Sequence, residues 1–202
     1  MTQPALSYLQ SADSRLASII EKVELPIINS TQDVFFDLMS CVVEQQIHYR
    51  STKKIFEKVL LSAEIEQLTL QNYPIFEETL LQKLKLSIQK LETVQAVYDF
   101  FKTNPSIQWH SLSNEEVRQQ LSSIKGNGAW SIDMVLLFTL QRPDIFPADD
   151  FHLKQVMTQV YELNPASKLK SQMLGISAAW GTHTSLAVKY LWAWKKQLKS
   201  NN

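Results

Sequence analysis

The sequence predicts an all-α protein. Three observations carry that prediction. Apolar residues recur at helical spacing along most of the chain, no strand pair or β-hairpin signal interrupts them, and of only four glycines two, Gly126 and Gly128, flank Asn127 in one short stretch. Roughly ten helices of ordinary length, about 11–12 residues each, account for the chain. At 202 residues it buries a full core, as one domain or as two small lobes.

Leu6, Leu9, Leu16, Ile19 and Ile20 predict one or two short amphipathic helices before Pro26. Thr31 is the expected N-cap of a helix that buries Val34, Phe35, Leu38, Met39, Val42 and Val43. Ser51 opens a further helical run through Ile55, Phe56, Val59 and Leu60, and Tyr73-Pro74 begins a short one. Ser87 caps a longer helix that reaches Phe101 and is closed by Asn104-Pro105. Beyond Asp150, helices are expected over Phe151–Tyr161, Ser167–Leu174 and Thr184–Leu198.

The stretch from Leu112 to Gln155 organises the rest. Ser113 and Glu116 have capping-box spacing, and Val117, Leu121 and Ile124 then share one helical face. Gly126-Asn127-Gly128 offers residues that take positive φ, so a very tight turn is expected there. Ala129 to Leu140 is almost wholly apolar, which reads as a buried helix ended by Arg142-Pro143. The following loop delivers two adjacent carboxylates, Asp149 and Asp150.

This stretch resembles the helix-hairpin-helix DNA glycosylases, in particular the 3-methyladenine DNA glycosylase II branch. The family hairpin usually reads Leu-x-x-Ile/Leu-x-Gly-Ile-Gly-x-Trp-Thr/Ser-Ala. Here it is Leu121, Ile124, Gly126, Asn127, Gly128, Trp130, Ser131 and Ile132. Arg142-Pro143-Asp144, Phe146-Pro147 and Asp149-Asp150-Phe151 follow in family order. Upstream, Val42-Val43-Glu44-Gln45-Gln46-Ile47 is similar to the family's Ile-Val-Gly-Gln-Gln-Ile/Leu-Ser, and Leu84-Lys85-Leu86-Ser87-Ile88-Gln89-Lys90 to its Leu-Gly-Leu-Ser-x-x-Lys. The matches keep their order from about Val34 to Trp192.

The resemblance implies two helical lobes with an active-site cleft between them. One lobe covers residues 34–142, with the helix-hairpin-helix motif at about 113–141; the other combines 1–33 with 143–202. With 33 residues before Val34, the N-terminal β-domain of larger relatives is not expected. The implied activity is monofunctional release of alkylated purines, such as 3-methyladenine or 7-methylguanine, from double-stranded DNA. Breaking the N-glycosidic bond develops an oxocarbenium-like sugar, which a buried carboxylate stabilises. The resemblance places that role on Asp150, with Asp149 as competitor, while either Asp also reads as the N-cap of the Phe151 helix. Trp130 stands where lyase-type relatives carry a Schiff-base lysine, so no lyase step is expected. Its ring can stack on a flipped cationic base, or simply fill the core.

Lys125, Gly126, Asn127, Gly128 and Ala129 are the expected DNA-binding hairpin, and Gln45, Gln46 and Ile47 the wedge that replaces the flipped nucleotide, with Gln46 preferred. A polar helix end is the plainer reading of those glutamines. Relatives also imply a structural Na+ or K+ at the carbonyls of Ile124 and Gly126. The chain departs from the family at Glu44, His48 and Asn127, and most clearly at Trp180-Gly181-Thr182-His183-Thr184-Ser185, where Trp-x-Pro-Trp-Arg-Ser is usual. With His183 and Met134 in place of aromatics, the base pocket, expected from Trp130, Met134 and His183, is less aromatic than in relatives. His183 is read either as a hydrogen-bonding pocket residue or as a satisfied core histidine.

Composition sets bounds. One cysteine, Cys41, excludes an internal disulfide and a four-cysteine iron–sulfur cluster, and its apolar helical setting marks it as core. The four histidines lack zinc-ligand spacing, so no catalytic metal is expected. No signal peptide or membrane-length apolar run is seen; an intracellular protein without a membrane or obligate protein partner is expected. Net charge is formally zero, unusual for a DNA-binding protein, but a hairpin that grips phosphate through backbone N–H groups needs no net charge. The lysine clusters Lys53/Lys54/Lys58, Lys83/Lys85/Lys90 and Lys195/Lys196/Lys199 read singly as solvated helix faces. Two rivals to the glycosylase reading are a non-catalytic helix-hairpin-helix module that recognises DNA structure and an all-α protein-interaction domain. Only the glycosylase has a use for a desolvated carboxylate.

Overall fold

A computed structural model describes residues 3–25, 30–43, 56–84 and 86–200. Every regular element among them is helical, as the periodicity predicts: α1 (Gln3–Ala12), α2 (Ser14–Ile20), α3 (Val34–Val43), a helical segment at 56–61, α4 (Tyr73–Thr79), α5 (Ile88–Thr103), α6 (Asn114–Ser122), α7 (Ala129–Met134), α8 (Phe151–Tyr161), α9 (Leu169–Ser177) and α10 (Thr184–Ser200). Short 3₁₀ turns occupy Leu81–Leu84, Trp109–Ser111 and Ala178–His183. No helix among the described residues is long and apolar enough to cross a membrane. The chain divides into two compact units, Ser30–Leu140 and Met1–Asn29 with Gln141–Asn202.

In the Ser30–Leu140 unit, α3 is the centre. All ten of its residues are buried, and it packs on α5 and α7. Cys41 is part of that core. The N-cap of α3 is Asp33, whose Oδ1 accepts the Phe36 amide at 2.9 Å, not Thr31. Thr31 turns inward instead. Its hydroxyl donates to Asp37 Oδ2 at 2.6 Å, and Thr139 donates to the same oxygen at 2.6 Å. Asp37, only 3% exposed, thereby joins the start of α3 to the far end of the apolar helix after the hairpin. A buried carboxylate needs such donors, because leaving it without them costs roughly 1–3 kcal/mol or more.

That apolar helix is not one regular α-helix. Regular geometry ends at Met134, and Val135–Thr139 form a π turn closed by the Leu140 amide on the Val135 carbonyl at 2.9 Å. All five residues of the turn are buried, and Gln141 then leaves the helix at φ 53. The hydrophobic run alone predicts burial but not the extra residue per turn. At the other end of the unit, Ser87 caps α5 as expected, accepting the Lys90 amide, and Asn104 closes it.

In the other unit, α10 packs on α2 and α8, and α1 packs on α2. Leu9, Leu16, Met157, Trp180, Val188 and Leu191 are fully or almost fully buried there. Asp13 ties this core together. Its Oδ1 caps α2 through the Leu16 amide at 2.9 Å, while its Oδ2 accepts from Tyr161 Oη at 2.7 Å and Trp180 Nε1 at 2.9 Å. Burial, and then Asp13, push the Tyr161 hydroxyl's pKa up. The helix expected at Ser167–Leu174 lies at Leu169–Ser177, because Lys168 adopts φ 43 and delays its start.

Candidate functional site

The hairpin begins with a secure helix. α6 carries the full capping box: Ser113 Oγ accepts the Glu116 amide at 3.2 Å and Glu116 accepts the Ser113 amide at 2.8 Å. The Ser113 amide, and after it the Ser113 hydroxyl, hold the Glu116 carboxyl below its usual pKa. Ile124 is buried, and its carbonyl accepts the Asn127 amide at 3.1 Å to close the turn.

Only one of the three turn residues takes positive φ. Gly126 has φ 82, whereas Gly128 has φ −93 and is the extended N-cap of α7, and Asn127 is not in the left-handed region. Asn127 serves by its side chain, donating Nδ2 to the Leu121 carbonyl at 2.9 Å and so satisfying one of the carbonyls that α6 leaves exposed at its end. An apolar residue in this place could not do that. A Cβ on Gly126 would lie 2.0 Å from Thr93 Oγ1 on α5; around Gly128 there is nothing within 4 Å. One glycine is therefore required for backbone shape and close packing. The other leaves open space beside the backbone at the start of α7.

Trp130 is half-buried in the first turn of α7, neither sealed in the core nor fully exposed, while Met134 one turn on is 2% exposed. Between them Asp133, 6% exposed, is paired with Arg118 of α6 at 2.6 Å, so an ion pair locks the two hairpin helices together. Lys125 is exposed at the turn and pairs with Glu92 at 2.8 Å. The expected wedge Gln45, Gln46 and Ile47, with Glu44, His48, Lys53, Lys54 and Lys85, lies outside the described residues.

Asp149 and Asp150 are adjacent in sequence and opposite in environment. Asp149 is exposed, its carboxylate held by Lys170 at 2.8 Å and Lys154 at 3.4 Å. The hydrogen bond from Lys170, first, keeps its pKa below the usual carboxylate value. Asp150 is 6% exposed and is the N-cap of α8, its Oδ1 accepting the Leu153 amide at 2.6 Å. The same Oδ1 accepts Trp192 Nε1 of α10 at 3.0 Å. The capping reading and the buried-carboxylate reading of Asp150 are thus compatible. Of the two, only Asp150 is withdrawn from water.

Lys195 stands one turn beyond Trp192 on α10. Rather than part of a solvated face it is 8% exposed, with Nζ 2.8 Å from His152 Nδ1, against Gln155 Oε1, and 5.6 Å from the Phe151 ring centroid. His183 is half-buried and packs edge-on against Tyr8, with ring centroids 5.2 Å apart, while the Tyr8 hydroxyl donates to the Ala179 carbonyl at 3.2 Å. Asp150, Trp192 and His183 belong to one compact unit; the hairpin, Trp130 and Met134 belong to the other. Sequence reasoning missed Trp192, Tyr8 and Asp13. The one available signal was chemical: a Trp within a packed helix needs an acceptor for its N–H, and a buried carboxylate nearby in the fold supplies one.

No family model matches the chain. Among curated proteins it is 24% identical to DNA-3-methyladenine glycosylase 1 of Schizosaccharomyces pombe over 197 residues, 95% of this chain and 85% of that one. It is 26% identical to a putative DNA-3-methyladenine glycosylase of Bacillus subtilis over 167 residues, 79% of this chain and 58% of the relative. Among solved structures, a DNA-3-methyladenine glycosidase from Bacillus halodurans superposes with TM-score 0.77 at 23% identity, covering 98% of this chain and 92% of that one. The Schizosaccharomyces pombe 3-methyladenine DNA glycosylase in complex with abasic DNA gives TM-score 0.80 at 23% identity, covering 94% and 95%.

Proposed function

From the helix-hairpin-helix glycosylase fold that this chain shares with those relatives, we propose that it is a monofunctional DNA glycosylase of base-excision repair. Its substrates are alkylated purines in duplex DNA, 3-methyladenine and 7-methylguanine among them. The observation that carries the reading is the buried carboxylate of Asp150, 6% exposed and held by donors from two helices. A DNA-binding module has no use for such a group, whereas departure of a base from deoxyribose leaves positive charge on the sugar that a fixed, desolvated carboxylate stabilises.

Each residue then has its own part. The backbone of Lys125–Ala129, open at Gly128, grips a phosphate through its N–H groups other than that of Asn127, which closes the turn on the Ile124 carbonyl. Trp130 offers an aromatic face to the extruded base, and a cationic alkylpurine gains cation–π attraction there. Met134 and His183 complete the contacts to the base, and Gln46 fills the vacated stack. Asp150 stabilises the sugar cation until water adds at C1′. An N-alkylated purine already carries positive charge and leaves without an acid. With Trp in place of an amine at position 130, water is the nucleophile. The Ile124 and Gly126 carbonyls are hard oxygen donors of the kind that hold a Na+ or K+. The Ile124 oxygen, which accepts Asn127 N at 3.1 Å, keeps a second lone pair for it.

The test is release of free bases from methylated duplex DNA by wild type and by Asp150→Asn. Release by wild type with a loss of about a hundredfold or more in the variant supports the assignment. Equal release by both removes Asp150 from the chemistry. No release by either, with DNA still bound, moves the protein to the non-catalytic module.

A further inference from the structure

We propose that Trp192 is a positioning residue for Asp150, so that the indole N–H of the last helix helps set the rate of base release; the inference rests on the glycosylase reading above. A carboxylate that works by electrostatics is effective in proportion to how well it is fixed before the reaction, because reorientation during the reaction would cost what the interaction gains. The Leu153 amide, at 2.6 Å from Oδ1, ties Asp150 to its own helix from one direction, as any N-cap is tied. Trp192 Nε1 reaches the same oxygen at 3.0 Å from α10. Two donors from different helices converging on one oxygen define the rotamer. An indole suits this role because it is a donor only and its N–H is fixed in a rigid plane.

The two helices are also fastened independently of this bond. Three residues along the same face of α10, Lys195 meets His152 Nδ1 at 2.8 Å and Gln155 Oε1, both on the first turns of α8. Lys195 therefore holds α10 against α8, and the Trp192 N–H aims the carboxylate. This division gives the two residues separable signatures.

The experiment compares the wild-type chain with Trp192→Phe, which keeps an aromatic ring and removes the donor, and with Lys195→Met, which keeps the stem and removes the amine. Single-turnover release of 7-methylguanine, duplex affinity and Tm are measured for each. Trp192→Phe is expected to slow release about tenfold, the worth of a hydrogen bond to a charged group, with affinity close to wild type and a fall in Tm no greater than that of Lys195→Met. Lys195→Met is expected to lower Tm while release stays within about twofold. A wild-type rate in Trp192→Phe overturns the inference, and so does a rate loss that merely tracks a loss of Tm. No release by wild type would instead defeat the glycosylase reading, whereas normal release by Trp192→Phe beside an inactive Asp150→Asn defeats this inference alone.

Discussion

Gly126 and Thr93 stand so close that a Cβ on the glycine would sit 2.0 Å from the threonine hydroxyl oxygen, and Gly126 also has φ 82. Two separate penalties therefore face any substitution. Gly126→Ala should destabilise the protein by about 2 kcal/mol or more, part from the left-handed backbone and part from the clash. Adding Thr93→Ala should recover only the second part. Urea unfolding of the two variants measures both; full recovery in the double variant would mean that backbone strain is absent.

Gly128 gives the opposite expectation. Its φ of −93 suits any residue and nothing lies within 4 Å of an added Cβ. Gly128→Ala should leave stability within about 0.5 kcal/mol. If a phosphate approaches this backbone, the same methyl should weaken duplex binding severalfold at low salt. Fluorescence anisotropy with a labelled duplex decides it, and unchanged affinity would take Gly128 out of the interface.

Thr139→Val removes one of the two hydroxyls that donate to Asp37 Oδ2, each at 2.6 Å, with little change of volume. The expected cost is about 1–3 kcal/mol, since the acceptor is a buried carboxylate. Thr31→Val should cost less, because Thr31 is the more exposed of the two donors. Chemical denaturation of both variants checks the order.

Asp149 makes a pH prediction. Lys170, then Lys154, depress its pKa in the folded state below the ordinary 3.8. A depressed carboxylate stabilises the fold above its ordinary value, and that share is lost as the pH falls through its folded value. Lys170→Met should therefore melt slightly below wild type at pH 7, and the gap should close below about pH 4. Its size stays under ~1 kcal/mol, because both side chains are about half exposed and solvent screens the pair. A gap that does not narrow as the pH falls from about 5 to about 2 would point to packing by the Lys170 stem.

Much of this was legible in the residues. Helical class, the capping box at Ser113–Glu116, the Ser87 and Asn104 limits of α5 and burial of the apolar run from Ser131 to Leu140 follow from spacing, because caps and periodicity are local properties. What escaped depends on which partner each polar side chain takes in the folded chain, near or far in sequence. Nothing near Thr31 shows that its hydroxyl is taken by Asp37, which leaves capping to Asp33. The turn at Gly126–Gly128 looks like three positive-φ residues, yet Asn127 contributes a side-chain cap instead. Asp149 and Asp150 are indistinguishable as letters; Lys170 and Trp192, 21 and 42 residues away, separate them.

The π turn at Val135–Thr139 has a consequence for how this chain tolerates insertions and deletions. A helix with one such turn contains one residue beyond what regular winding needs, and the surplus is confined to that turn. Removing a residue there would return the segment to ordinary pitch and leave the face of α7 before it unchanged. Removing one from α5 or α8 would rotate everything beyond it by about 100°. A one-residue deletion within Val135–Thr139 is therefore expected to be tolerated better than one in α5 or α8.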